Sequence, residues 1–264
     1  MLSRHITVHH HPAARPAGRP PLLFVHGGYT NARCWQLHFI PFFNALGYDC
    51  HAIDLSGHGD SGGHAQIDEF GLDDYADDLA GAVAELPALP VLIGHSMGTQ
   101  VVERYLAQGR AAGVVLMAPV PPSGTGGSAS RLALTRPDFF AELPNAVSGH
   151  PTDATFRVMA EIYFSPQFPH TELAEFLPMM DRESDRAVAE MVALPFLRSG
   201  RRPSIPALVM GGGVDAVFPP SMLFFTALAW RAQTITVPDC GHMLMLDRPW
   251  PKAAEALAGW LAHL

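Results

Sequence analysis

One stretch of the sequence reads Pro90-Val91-Leu92-Ile93-Gly94-His95-Ser96-Met97-Gly98. It begins with a short apolar run, typical of a strand buried on both faces of a parallel sheet, and a helix-like pattern follows at residues 99–106. Gly-x-Ser-x-Gly between a strand and a helix is typical of a sharp, strained turn that exposes a nucleophilic serine. Glycine at both flanking positions avoids a collision with the neighbouring backbone. Five residues alone would also fit a plain glycine-rich turn, but the strand and helix around them favour Ser96 as a nucleophile.

Short apolar runs that end near Gly, Pro or Asp recur along the chain. Further buried strands are predicted at Leu22–Val25, Tyr48–Ile53, Gly113–Met117, Ala207–Met210 and Gln233–Val237, and His5–His9 alternates like an edge strand. Helical patterns lie between the runs, at Cys34–Leu46, Gly71–Leu86, Ser96–Gln108 and Trp250–Leu264. Alternation of this kind predicts the α/β class, with a mostly parallel central sheet flanked by helices.

One long segment interrupts this alternation, because no buried strand is predicted from Pro121 to about Pro203. It opens with a Pro/Gly/Ser-rich stretch, residues 121–130, which we expect to be flexible. Short helical patterns follow at Pro137–Leu143, Asp153–Tyr163, Thr171–Met180 and Asp185–Leu194. We therefore expect an α/β core of residues 1–120 and 204–264, and a helical cap of residues 121–203.

A second glycine-rich turn, His26-Gly27-Gly28, follows the strand predicted at Leu22–Val25. Acyl transfer passes through an anionic tetrahedral intermediate, which backbone N–H groups must stabilise. Where the nucleophile lies on a sharp turn between a strand and a helix, one backbone N–H donor belongs to the residue after the nucleophile, here Met97. The other donor comes from the loop after an earlier strand. Gly28 and Met97 are the predicted oxyanion-hole donors. By itself the turn would also fit an ordinary strand-to-helix connection.

Two further residues follow predicted strands late in the chain, Asp215 after Gly213-Val214 and His242 after Cys240-Gly241. A serine hydroxyl needs a base, and neutral imidazole has a suitable pKa. A carboxylate on the other ring nitrogen fixes the tautomer and stabilises the imidazolium. Both residues lie at the sheet edge where open α/β sheets bind ligands. We therefore predict a triad of Ser96 as nucleophile, His242 as general base and Asp215 as the orienting acid.

These motifs together resemble the α/β-hydrolase superfamily, from the strand before His26 to the final helix. Residues 54–61 resemble the D-x-x-G-x-G-x-S loop of capped members, and residues 241–249 resemble their histidine loop with the helix behind it. The cap points towards the esterase, lipase and carbon–carbon hydrolase groups. The resemblance implies a serine hydrolase with a nucleophile elbow. Haloalkane dehalogenases and epoxide hydrolases of this fold carry aspartate at the elbow, so Ser96 argues against both activities.

Composition and charge indicate which broad classes of protein fit this sequence. Hydrophobic residues make up 48% of the 264 residues and charged residues 16%, which predicts a packed globular core. The formal net charge is −8, and Lys252 is the only lysine, so a nucleic-acid partner is not expected. Three cysteines are an odd number, which favours free thiols in a reducing compartment. With no signal-like start and no long apolar stretch, we expect a cytoplasmic protein without stable membrane insertion.

We expect neither a metal nor another cofactor. The tract His9-His10-His11 has no second ligand cluster and no His-Glu-x-x-His pattern beside it. Asp54 also follows a strand, but a structural role in the glycine-rich loop is favoured over catalysis. His95 is expected to point away from Ser96, and Cys240 to be a buried, inert thiol.

Three functions remain open. The leading one is hydrolysis of a carboxylic ester with an apolar acyl group through an acyl-enzyme, with Tyr29, Val217 and Phe218 facing the small-molecule substrate. A carbon–carbon hydrolase of ring-cleavage dienoates would use the same triad. A non-catalytic ligand receptor on a hydrolase fold is the alternative of another class. Dienoates are anionic and would need basic residues at the site, for which the segment predicted to form the cap offers Arg131, Arg136, Arg157, Arg182, Arg186 and Arg198.

Overall fold

The centre of the protein is a mixed β-sheet, seen in a computed structural model that describes residues 5–169, 172–193 and 202–264. Within that part of the chain the sheet has seven strands in the order β1-β3-β2-β4-β5-β6-β7. Strand β1 is antiparallel to β3, and every other pair is parallel. The bounds are β1 Val8–His11, β2 Leu22–Val25, β3 Cys50–Ile53, β4 Val91–His95, β5 Gly113–Met117, β6 Ala207–Gly212 and β7 Gln233–Val237. The predicted α/β class with a mostly parallel sheet is confirmed.

The central strands are buried on both faces. Leu22 and Phe24 of β2 pack into one apolar core, whereas Leu23 and Val25 pack into the other. This division follows from the period of two along a strand. Helices cover both faces: α1 Arg33–Gln36, α2 Phe39–Ala45, α3 Leu72–Ala84, α4 Met97–Tyr105, α10 Leu223–Trp230 and α11 Trp250–Leu261.

In the described part of the chain between β5 and β6 there are five helices. They are α5 Gly126–Thr135, α6 Pro137–Val147, α7 Asp153–Tyr163, α8 Leu173–Phe176 and α9 Asp185–Ala193, with a 3-10 turn at Leu177–Met179. Thr171 and Leu194, which the sequence analysis assigned to helices, lie outside the described residues. The division into a core and a separate cap stays a prediction.

Three local predictions were wrong. The single helix predicted at Cys34–Leu46 is two helices, α1 and α2. The edge strand is Val8–His11, because these residues lie opposite the four residues of β3, from Val8 with Ile53 to His11 with Cys50. The stretch expected to be flexible contains the start of α5, despite the low helix propensity of two consecutive glycines. Leu132 of this helix is buried in the core, so packing outweighs propensity there.

The fold gathers the predicted site residues at one edge of the sheet. Parallel strands β2, β4, β6 and β7 end at Val25, His95, Gly212 and Val237. Gly28, Ser96, Asp215 and His242 follow those ends within a few residues. Among the described residues no helix has the length and apolar character to cross a membrane.

Candidate active site

Ser96 occupies the strained turn that the sequence predicts. Its φ is 50° and its ψ is −119°, a conformation that L residues rarely adopt, and α4 begins at the next residue. From Val91 to Gln100, Ser96 is the one residue that is not buried. A Cβ at Gly94 would lie 2.7 Å from the carbonyl oxygen of Gly98, and one at Gly98 would lie 2.6 Å from that of Val25. The two glycines therefore allow the turn, and the turn exposes the serine side chain.

Asp215 and His242 form a buried pair. The carboxylate oxygen Oδ2 accepts a hydrogen bond of 2.8 Å from His242 Nδ1, and the two residues are 4% and 2% exposed. The other carboxylate oxygen accepts from the backbone N–H groups of Val217 and Phe218, at 2.7 and 2.9 Å. These bonds hold the acid in place. With the Nδ1 proton donated to Asp215, His242 Nε2 is left with the lone pair that a base requires.

His95 supports the histidine loop, residues 241–249, through a hydrogen bond. Its Nε2 donates to the backbone carbonyl of His242 at 3.0 Å, and the two rings are 4.8 Å apart. Burial lowers the pKa of His95 well below its ordinary value, so the ring stays neutral. Its position in the Gly94–Gly98 motif is a signal, but nothing in the motif identifies the partner 147 residues away.

The loop after β2 lies against the elbow. A Cβ at Gly27 would lie 3.0 Å from Ser96 Cβ. The Gly27 carbonyl accepts two hydrogen bonds, from His26 Nδ1 at 2.8 Å and from Thr30 Oγ1 at 3.1 Å. In a planar trans peptide the carbonyl and the following N–H point in opposite directions, so fixing the Gly27 carbonyl also fixes the Gly28 N–H. The Met97 side chain lies next to Gly28, since its sulfur is 3.7 Å from the Cβ position of that glycine.

His26 is the residue that holds this peptide. Its Nε2 accepts from the Leu55 backbone N–H at 3.1 Å, so the ring proton must be on Nδ1, where it is donated to the Gly27 carbonyl. Burial lowers the pKa of His26 to about 4, which keeps the ring neutral and preserves this acceptor. In the sequence alone, His26 is recognisable only as part of the His26-Gly27-Gly28 turn.

The residues predicted to face the substrate differ in their burial and in the contacts given for them with His242. Phe218 is buried, and its ring meets that of His242 edge-on at 5.5 Å. Val217 and Tyr29 are half-buried, and Tyr29 has a positive φ of 61°. Tyr163 of α7 was missed by the sequence analysis, although its ring is 6.0 Å from that of His242. Only the tertiary structure brings α7 to this position.

A cavity of about 280 Å³ opens between the segment after α7, the connection of α1 to α2 at Leu37 and His38, and Leu246. None of the predicted triad or substrate residues lines it. It adjoins the site through Phe176, whose ring is 5.8 Å from that of Tyr163. The lining residues are Leu37, His38, Phe164, Phe168, Glu172, Glu175, Phe176, Met179 and Leu246.

Other polar candidates have structural partners. The Asp54 carboxylate accepts from the backbone N–H groups of Ala32 and Asp60 and from His9 Nε2, so it holds the glycine-rich loop. His9, Asp54 and Asp60 offer three ligand atoms within 4.8 Å of one another. Arg33 lies 3.5 Å from Asp60, however, and with the Asp54 oxygens already engaged the group is a poor cation site. Cys240 is buried, and burial raises the pKa of its thiol.

Three of the six arginines that could have served an anionic substrate have carboxylate partners. Arg136, Arg182 and Arg186 form ion pairs with neighbouring acids. Arg131 of α5 differs, because it donates to the backbone carbonyls of Ala216 and Val217, directly after Asp215. Arg198 lies outside the described residues. Arg131 therefore ties α5 to the loop that carries the acid.

Comparison with known proteins gives the family. A model described as "Alpha/beta hydrolase family" matches residues 22–256. The fold is similar to that of an esterase from Exiguobacterium antarcticum, with 17% identity and a TM-score of 0.71 over 98% of this chain and 96% of that one. It is also similar to an enol-lactonase from Burkholderia xenovorans, with 16% identity and a TM-score of 0.73 over 99% of this chain and 98% of that one.

A similarity in sequence covers a shorter region. The chain is 33% identical over 79 residues to a pyrethroid hydrolase from Sphingobium wenxiniae, which is 29% of this chain and 27% of that protein. It thus spans only about a quarter of that curated relative. The family match, in contrast, extends over most of the sequence. The chain belongs to the alpha/beta hydrolase family.

Proposed function

We propose that this protein is a serine hydrolase that cleaves carboxylic esters with an apolar acyl group through an acyl-enzyme. The observation that carries the proposal is the buried hydrogen bond of 2.8 Å between Asp215 and His242, at the same sheet edge as the strained Ser96. A carboxylate, an imidazole and a serine on an elbow are the three groups that acyl transfer requires.

In the proposed reaction His242 Nε2 removes the proton of Ser96 Oγ as the oxygen attacks the ester carbonyl. The carbonyl oxygen becomes an anion, which the backbone N–H groups of Gly28 and Met97 stabilise. The carbon–oxygen bond to the alcohol then breaks, and His242 returns the proton to the leaving oxygen. Water attacks the acyl-enzyme in the same way, which releases the acid and restores Ser96. Asp215 stays ionised and stabilises the imidazolium in both steps.

Apolar surroundings support an apolar acyl group. Phe218 packs against the His242 ring, and the half-buried Val217 precedes it. Tyr163 approaches the ring from α7. Apolar and aromatic side chains with a few polar groups are typical of small-molecule sites.

Ser96→Ala tests the assignment. The variant should fold like the parent and lose turnover of p-nitrophenyl esters by about a millionfold, as in a hydrolase whose nucleophile is removed. An organophosphonate should label the parent at Ser96 and leave Ser96→Ala unlabelled, as read by mass spectrometry. Ser128→Ala is a matched control on a buried serine of α5, and it should keep both labelling and turnover. A folded Ser96→Ala variant with most of the parent's activity would contradict the proposal.

A dienoate hydrolase is the second candidate, and Arg131 is the observation that favours it. Its guanidinium bonds to the carbonyls of residues 216–217 and so lies next to the predicted acid. Esters of graded chain length should be compared with one ring-cleavage dienoate on the same protein. Faster turnover of the dienoate, lost in Arg131→Met while ester turnover by the same variant stays at the parent's level, would select that reaction. Binding of either ligand without turnover by the parent would select the receptor alternative.

A further inference from the structure

A buried charge pair lies outside the predicted triad. His58, in the loop after β3, contacts Glu183 with 3.2 Å between Nε2 and Oε2, and both side chains are fully buried. The other Glu183 oxygen accepts from the Tyr75 hydroxyl and from the backbone N–H of Ser184, each at 2.8 Å. His58 Nδ1 bonds to the Ser56 carbonyl at 3.1 Å. Four bonds thus fix two ionisable groups that the proposed reaction does not use.

Glu183 belongs to a segment, residues 180–184, that is bound to the loop carrying Gly28. We call this segment the clasp. The Asp181 backbone N–H donates to the Tyr29 carbonyl at 3.0 Å, and the Asn31 side chain donates to Asp181 Oδ2 at 2.9 Å. Thr30 forms an isolated β-bridge with Met180. Two hydrogen bonds and a β-bridge therefore join the loop of the predicted oxyanion donor to the clasp.

The Glu183 carboxylate lies beside the predicted donor itself. A Cβ at Gly28 would lie 3.3 Å from Glu183 Oε2. A negative charge beside Gly28 opposes the oxyanion that the N–H group of this residue is to stabilise. His58 is the positive partner that cancels it, because its Nε2 proton is shared with the same carboxylate oxygen.

The surroundings favour the charged form of both partners. Burial alone would lower the pKa of His58, but the charge and hydrogen bond of Glu183 raise it above its ordinary value. Burial alone would raise the pKa of Glu183, and His58 reverses that shift. The other titratable groups that face the pair are His26, Tyr29, Tyr75 and Asp181.

We propose that His58 is a positioning residue for the oxyanion hole: paired with Glu183, it neutralises a carboxylate that the clasp places beside Gly28. Glu183 anchors the clasp through Tyr75 and Ser184, and His58 makes its charge compatible with the intermediate. The inference rests on the proposed function, because it concerns the anion that acyl transfer forms.

His58→Gln tests the charge effect. It leaves the carboxylate without its cation, so kcat for p-nitrophenyl esters at pH 7.5 should fall about 10- to 100-fold, with KM within threefold of the parent. The double variant with Glu183→Gln carries no charge at either position and should recover most of this loss. In His58→Gln, kcat should also recover relative to the parent as the pH is lowered and Glu183 becomes protonated.

Leu79→Ala is the control for stability, since Leu79 is buried in the core on the same helix as Tyr75. It should lower the melting temperature without changing kcat of the folded protein. A purely structural role of His58 predicts the same result for His58→Gln. An unchanged kcat, or a double variant no faster than His58→Gln, would overturn the inference.

A measurement on the parent keeps the test independent of variant folding. Nitrogen-15 chemical shifts at pH 7.5 should show His58 as an imidazolium with both ring nitrogens protonated, and a neutral tautomer would overturn the inference. Ser96→Ala separates the two proposals. If it keeps turnover, the proposed function fails. If it abolishes turnover while His58→Gln equals the parent, only the role of His58 fails.

Discussion

His242 is held from two sides by residues far apart in sequence. Asp215 binds its ring at Nδ1, and the His95 ring binds its backbone carbonyl. Because the Asp215 carboxylate also accepts hydrogen bonds from two backbone N–H groups, it is fixed in position beside the histidine. At the scale of single residues, the proposed base His242 is therefore held in one orientation in the absence of substrate.

Asp215→Asn tests this orientation. The amide keeps the shape but would present a donor or a weaker acceptor to Nδ1, so the ring would lose the tautomer that leaves Nε2 free. We expect ester turnover to fall by about ten-thousandfold, as for the same change in a serine protease. Rates should be measured at saturating substrate, on protein whose circular dichroism matches the parent.

Asp239→Asn is the matched control for this change. Asp239 is exposed and follows β7 with a φ of 56°, a conformation that asparagine also tolerates. It should leave turnover unchanged. If Asp215→Asn behaved like Asp239→Asn, the carboxylate that orients His242 would have to be sought elsewhere.

At the scale of elements, the site depends on how closely β4, the elbow and α4 approach β2. The carbonyl oxygens of Val25 and His26, at the end of β2, would contact any side chain placed at Gly98. The Gly28 loop begins at the same point of β2. Close packing at Gly98 therefore also sets the separation of the two predicted oxyanion donors.

Gly98→Ala tests this packing. The added methyl group must displace the end of β2, so we expect a loss of about 1–3 kcal/mol in the free energy of unfolding. Turnover should fall as well, because the Gly28 loop shifts with β2. Urea denaturation and ester hydrolysis measure the two effects.

Gly81→Ala is the control for Gly98→Ala, because it adds a methyl group where there is space for one. Gly81 lies inside α3, and its Cβ position has no neighbour within 4 Å. Alanine should stabilise the protein by about 0.5–1 kcal/mol and leave turnover unchanged. Equal effects of the two changes would contradict the packing argument.

At the scale of the whole molecule, buried histidines make stability depend on pH in two directions. Burial lowers the pKa of His26 to about 4 and lowers those of His51 and His95 below the ordinary value. Below pH 6.5 the unfolded chain therefore binds more protons than the folded one, and lowering the pH lowers the free energy of unfolding. His58 acts oppositely, because its raised pKa means that its stabilising contribution is lost as the pH rises through that value.

Stability should therefore be greatest near pH 6.5 and fall on both sides. His26 alone should account for about 3 kcal/mol between pH 6.5 and 4, from its shift of pKa. The lowered pKa of Glu183 adds a further loss only at lower pH, below the ordinary pKa of a glutamate. Urea denaturation at pH 5, 6.5 and 8.5 gives the three free energies.

Two variants separate the contributions. His51→Gln should reduce proton uptake on unfolding below pH 6.5 and leave the alkaline decline unchanged. The double variant with His58→Gln and Glu183→Gln, which has no charge at either position, should reduce the alkaline decline. A free energy of unfolding that rises steadily from pH 6.5 to 5 would contradict the assignment of neutral buried histidines.

Local sequence patterns predicted the sheet, the strained turn at Ser96 and the positions of Asp215 and His242 after their strands. The alternation of apolar runs and helical patterns predicted the sheet, because strands and amphipathic helices must bury apolar faces with periods of two and 3.6. The motif around Ser96 predicted a strained turn, and Ser96 has the positive φ that such a turn requires. Asp215 and His242, placed after separate strands in sequence, are in direct contact in the structure.

Only the tertiary structure decided which polar groups are partners. His58 meets Glu183 across 125 residues, and His95 meets the His242 carbonyl across 147. The two hydrogen bonds to the Gly27 carbonyl, and the burial that orders α5, are equally absent from any local pattern. A buried polar group must find its partner wherever packing brings one, because desolvation without a hydrogen bond costs too much. Because such partners are close in space but distant in sequence, no periodic pattern of residues along the chain predicts them.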